Sequence, residues 1–140
     1  MSENTFTKTE RMYYAAINNV KGRFEMIRRI ATPYSYSSAV EAGDYVFIGL
    51  HRGFGESFNE QINDTFQYLR NTLSELGLTL ESVVKVNVYL KNIEDLPQME
   101  KVFSEYYEEG KFPARMTSTT EFIDKDCLVM IEGIAYKHCS

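Results

Sequence analysis

Two stretches of helical periodicity enclose one stretch of strict alternation, and that order leaves few folds open to the chain. Behind Ser57-Phe58-Asn59-Glu60, a capping box that satisfies two orphan amides at a helix start, Phe58, Ile62, Phe66, Leu69, Leu73 and Leu76 recur every three or four residues. Asn59, Asn63, Gln67 and Arg70 fall on the other side, and Gly77 supplies the natural end. Val84, Val86, Val88 and Leu90 then alternate with Lys85, Asn87 and Tyr89, the period of a strand with one face in a core. After Asp95 a second helical stripe runs through Met99, Val102, Phe103 and Tyr106, with Pro97 in its first turn and Gly110 closing it. Each helix is apolar on one side only, so both must cover the same kind of surface, one face of a sheet.

The remaining segments supply that sheet. Phe24 to Ile30 alternates as a half-buried strand that Thr32-Pro33 ends. Tyr36 to Ala42 and Asp44 to Leu50 read as a hairpin turning at Ala42-Gly43-Asp44. Arg115 to Phe122 and Cys127 to Tyr136 read as two last strands linked by the charged turn Asp124-Lys125-Asp126. Before them, Met12, Ala15, Ala16 and Ile17 suggest a short amphipathic helix following Thr9. The order is three strands, helix, strand, helix, two strands: an α+β fold with a mixed β-sheet and two helices on one face. Residues 1–22 form an N-terminal extension and residues 23–140 a single domain. The second sheet face carries Lys85, Asn87 and Tyr89, no remaining element covers it, and a homo-oligomer is expected to.

Charge and composition narrow the function. A net charge of −5 makes nucleic acid an unfavourable partner, because grip on a phosphate backbone comes from Lys and Arg. No apolar run approaches the roughly 20 residues that span a bilayer, and 1–9 is polar, so a cytoplasmic protein with no membrane partner is expected. Cys127 and Cys139 make no disulfide framework, and with His51 and His138 they show no metal-ligand spacing; no metal and no cofactor is expected.

One segment points to chemistry. In Phe112-Pro113-Ala114-Arg115, Pro113 fixes its own φ and pushes Phe112 into an extended conformation, so Arg115 enters its strand from a defined point. A planar fork of donors held in this way suits a carboxylate. The plainer reading of the segment alone is a surface arginine at a strand edge.

Five segments taken in order, Thr32 to Val40, Gly43 to Phe47, Val83 to Leu90, Phe112 to Arg115 and Ile131 to Ala135, resemble the RidA family, also called the YjgF or L-PSP family. The resemblance spans about Ile27 to Ala135. It implies a chorismate-mutase-like fold and a homotrimer in which the uncovered sheet faces meet around a central barrel, with clefts between subunits. In the best-known branch those clefts hydrolyse 2-imino acids or their enamine tautomers to 2-oxo acids and ammonia. On this pattern Arg115 matches the arginine that binds the substrate carboxylate, and Tyr36 the tyrosine that lines the cleft from the neighbouring subunit.

Elsewhere the chain departs from the family pattern. The place of the water-positioning glutamate is Met130, that of the cleft serine Gly49, that of the helix asparagine Glu100, and that of the cysteine two residues past the arginine Thr117. A thioether neither takes nor gives a proton, so Glu132, two residues on and on the same strand face, is the candidate catalytic group; its plainer reading is a structural carboxylate paired within the trimer. Glu100 would repel an anionic substrate unless Arg115 or Lys101 neutralises it, or would select an amine. Three functions follow: an imine or enamine deaminase of altered or reduced activity, a non-catalytic module holding a small carboxylate such as a 2-imino or 2-oxo acid, and, from older family names only, an endoribonuclease or translation inhibitor.

Overall fold

The structure is a computed structural model and describes residues 7–13, 16 and 27–138. Six strands form one sheet: β1 Arg28–Ala31, β2 Ser37–Ala42, β3 Tyr45–His51, β4 Val83–Leu90, β5 Ala114–Thr119 and β6 Val129–Tyr136. Their order across the sheet is β1-β2-β3-β6-β4-β5, antiparallel throughout except for the parallel pair β4 and β5. The two helices that pack on this sheet are α1, Phe58–Glu75, and α2, Leu96–Tyr106. This is the expected mixed α+β sheet, with one change of connection. β5 and β6 are not neighbours, because β4 lies between them, so the Asp124-Lys125-Asp126 turn belongs to a crossover and not to a hairpin.

The helices cover one sheet face. Val46, Ile48, Val86, Val88, Leu90, Val129, Ile131 and Ala135 are buried in one cluster with Phe58, Ile62, Phe66, Leu69 and Leu73 of α1 and Met99, Val102 and Phe103 of α2. Phe66 meets Phe103 edge to face with ring centroids 5.1 Å apart, and Tyr106 stacks on Phe66 at 4.2 Å, so aromatic rings join the two helices. Tyr45, Phe47 and Met116 stay exposed.

Local chemistry explains most boundaries. The Ser57 hydroxyl accepts from the Glu60 amide at 3.1 Å, as the capping box requires. At the other end Gly77, at φ 73°, lets the Leu78 amide reach back to the Leu73 carbonyl and the Gly77 amide to the Ser74 carbonyl, which is a Schellman closure. Gly43, at φ 61°, makes the β2–β3 turn as read from the sequence.

Four expectations need correction. Val84 is exposed, not buried, because the β4–β6 register slips between Val83 and Lys85 and turns Val83 inward in its place. Gly110 does not close α2: the helix ends at Tyr106, and Gly110 serves the following turn, in which the Lys111 amide bonds to the Glu108 carbonyl. β5 stops at Thr119, not Phe122. Near the N-terminus residues 8–13 are helical, but the cap is Thr7, whose hydroxyl accepts from the Glu10 amide at 3.1 Å, and Met12 is exposed. Ala15, Ile17, Phe24 and Met26 lie outside the described residues.

Candidate functional site

Arg115 is the second residue of β5, a strand that pairs on one side only, with β4. Its position is prepared from below: Pro113 is buried, and the Phe112 ring lies 6.4 Å from that of Tyr107. The parallel register sets Arg115 beside Val86, on the face the helices cover, and its contacts agree. The guanidinium carbon stands 5.1 Å above the Phe103 ring, Nε donates to the Thr117 hydroxyl at 3.1 Å, and Nη2 donates to a Glu100 carboxylate oxygen on α2. The Thr117 hydroxyl also faces the Met99 sulfur at 3.9 Å. Among the described residues Nη1 has no protein partner.

This cluster joins three residues singled out from the sequence, Arg115, Thr117 and Glu100, and adds Phe103, which the sequence offered only as a core residue. Glu100 is neutralised by Arg115 and not by Lys101. Its side chain is 54% exposed against 25% for Arg115, so the pair is screened by water and contributes on the order of 0 to 1 kcal/mol to stability. The arginine is held in place largely by Phe103 and Thr117, with Glu100 as a readily displaced partner.

Met130 and Glu132 lie elsewhere. Both are on β6, with Tyr89 opposite Met130 and Asn87 opposite Glu132, on the sheet face the helices leave uncovered. One oxygen of Glu132 accepts from the Tyr89 hydroxyl at 2.6 Å and from the Asn87 amide at 3.2 Å. That hydrogen bond, followed by burial, raises the Tyr89 pKa above its ordinary value. Glu132 is thus paired within its own chain, by residues whose side the alternation of β4 gave but whose register across β6 it did not. Two strand spacings and the thickness of the sheet separate it from Arg115.

Gly49 sits in β3 where its pairing with β6 slips, and a Cβ there would come within 3.1 Å of the Ser37 carbonyl oxygen, closer than a side chain comfortably approaches. Its carbonyl accepts from the His51 ring at 2.7 Å. Tyr36 precedes β2, four strand spacings from the β5 that carries Arg115, and stacks on Tyr34 with centroids 6.1 Å apart. One chain therefore does not bring Tyr36 to Arg115.

No group of three or more His, Cys, Asp or Glu among the described residues is arranged to hold a metal ion. Nor, among those residues, is any helix long and apolar enough to cross a membrane.

Residues 26–137 match the family model described as Endoribonuclease L-PSP. The chain belongs to the RidA/YjgF family. Among relatives of this RidA/YjgF chain, a RutC family protein of Pyrococcus abyssi is 36% identical over 110 residues, covering 73% of this chain and 86% of that one. A protein of Dermatophagoides farinae named 2-iminobutanoate/2-iminopropanoate deaminase is 29% identical over 121 residues, 76% of this chain and 94% of its own. Among solved structures, RidA from a Psychrobacter species superposes with a TM-score of 0.70 at 30% identity, over 77% of this chain and 93% of that one. A YjgF family protein of Neisseria meningitidis gives a TM-score of 0.76 at 27% identity, over 81% and 97%.

Proposed function

We propose that this RidA/YjgF protein assembles as a homotrimer and takes small 2-imino or 2-oxo carboxylates at Arg115, in clefts between copies, hydrolysing imines slowly. The observation that carries the reading is the placement of Arg115: a guanidinium braced by Phe103 and Thr117 on an edge strand, with Nη1 free of protein partners among the described residues. The separation of Tyr36 from Arg115 within one chain fits a cleft completed by a second copy. The exposed Tyr45, Phe47 and Met116 fit a sheet face that copies cover together. The name of the Dermatophagoides relative supports the imine as substrate.

The reaction itself asks little of the protein. Water adds to the electrophilic C2 of the imine, the carbinolamine loses ammonia as its C–N bond breaks, and a 2-oxo acid remains. A carboxylate that orients the water and moves its proton typically adds roughly 10²- to 10⁴-fold, and Met130 cannot supply this. Glu132 is engaged by Tyr89 and Asn87, so slow turnover follows. The same two observations favour a second reading, a module that binds a small carboxylate without turning it over. An endoribonuclease is disfavoured by the net charge of −5.

The test is a coupled assay in which an amino-acid oxidase generates 2-iminopropanoate. We expect weak acceleration of imine loss that disappears in Arg115→Ala and, with residue 130 brought to the cleft by a neighbouring copy because one chain holds Met130 and Arg115 on opposite sheet faces, rises about 10²-fold in Met130→Glu. Absence of acceleration in both the wild type and Met130→Glu, with calorimetric pyruvate binding that needs Arg115, selects the binding module. Pyruvate heats identical in wild type and Arg115→Ala would remove the site altogether.

A further inference from the structure

We propose that Glu100 sets the ligand preference of the Arg115 site, favouring small carboxylates that carry a cationic nitrogen beside the carboxylate, protonated 2-imino acids and 2-amino acids, over 2-oxo acids, which bind there more weakly. The inference rests on the reading of Arg115 given above and adds the chemical feature by which the site tells ligands apart.

The geometry states the case. Arg115 spends Nε on Thr117 and Nη2 on Glu100, which leaves Nη1 for an incoming carboxylate. A ligand that docks there stands next to the Glu100 carboxylate, on the same guanidinium. With a simple monoanion, two carboxylates then compete for one cation, and like charges at that separation disfavour binding. A zwitterion reverses the sign: its carboxylate takes Nη1 while its ammonium or iminium takes the outward oxygen of Glu100, so both charges of the pair meet their opposites. Glu100 is free to do this, since more than half of its side chain faces solvent and, among the described residues, its one side-chain partner is Arg115. Thr117 and Phe103 keep the guanidinium in place whether or not Glu100 is engaged.

Discrimination of this kind also limits inhibition by the product. The protonated imine is held by both groups, whereas the 2-oxo acid product has lost the nitrogen that Glu100 recognises and is released.

Alanine and pyruvate share a carbon skeleton and differ in the amine, so calorimetry with these two probes isolates the nitrogen. The wild type is expected to bind alanine at least about tenfold more tightly than pyruvate, and Glu100→Gln to bring the two together by tightening pyruvate and weakening alanine. Glu100 lies on the exposed side of α2, so Glu100→Gln should fold; Glu100→Ala, which also removes the hydrogen bond to Arg115, is expected to shift the preference in the same direction. Equal affinities in the wild type, or parallel changes for both probes in Glu100→Gln, with binding still lost in Arg115→Ala, would overturn the role of Glu100 and leave the Arg115 site standing. Binding of neither probe to any variant would overturn both.

Discussion

Replacing Gln61 by Leu removes a polar latch that lies between two loops while nearly keeping the volume of the side chain. Gln61 is on α1 and only 1% exposed, yet it makes three hydrogen bonds to main chain: its amide donates to the Gly55 carbonyl at 3.0 Å and the Asp126 carbonyl at 2.8 Å, and its oxygen accepts from the Leu128 amide at 2.8 Å. A net contribution of about 1 kcal/mol per bond gives about 3 kcal/mol, and the stranded Leu128 N–H carries much of it, since an unmet buried donor costs on the order of 1 to 3 kcal/mol. The burial of a leucine in a region already lined by Phe58 and Ile62 offsets part of this, so a loss of about 2 to 3 kcal/mol is expected. For a domain of this length that corresponds to a fall in Tm of roughly 6 to 10 °C. Urea unfolding followed by circular dichroism, at one fixed protein concentration because assembly also contributes, measures the change in midpoint. A loss below about 1 kcal/mol would show that Gln61 does not hold the loops and that water satisfies Gly55, Asp126 and Leu128 equally well.

Two further outcomes concern His51 and Gly133. His51 is fully buried, with one ring nitrogen 2.7 Å from the Gly49 carbonyl and the other 2.8 Å from the Thr72 hydroxyl; burial holds its pKa below the usual 6.5. The unfolded chain therefore binds a proton there more readily than the fold does, so His51 favours the fold fully above pH 6.5 and progressively less as pH falls from 6.5 toward the depressed value. Unfolding midpoints measured across that window should decline for the wild type, and His51→Gln should flatten the decline; an unchanged slope would dismiss His51 as its source. Gly133→Ala should cost about 1 to 3 kcal/mol, because a methyl there collides with the Lys85 carbonyl oxygen across the β4–β6 pair; chemical unfolding with no shift would mean that the strands part at no expense.

Part of the candidate site was legible in residue types and part was not. Pro113 before Ala114-Arg115 is a local constraint on backbone angles, so the place where Arg115 enters its strand followed from the chain itself. The partner of Glu132 did not, since it depends on which residue of β4 stands opposite it, and the bulge at Val84 resets that register. Gln61 and the packing of His51 were not legible, because nothing local marks a polar group with a partner 65 or 21 residues away.

The amino-acid sequence by itself determined the inventory: two one-sided helices with their Ser57 and Gly77 ends, the Gly43 turn, an alternating strand, and an arginine delivered by a proline. These depend on neighbours within a few residues, where sterics and capping act. Only the tertiary structure decided that β6 inserts between β3 and β4, that Val83 replaces Val84 in the core, and that the Arg115 guanidinium meets Glu100 and Phe103 of α2. Those outcomes depend on distant strands and helices competing for the same apolar face and the same donors, and that competition is settled only when the whole sheet closes against its helices.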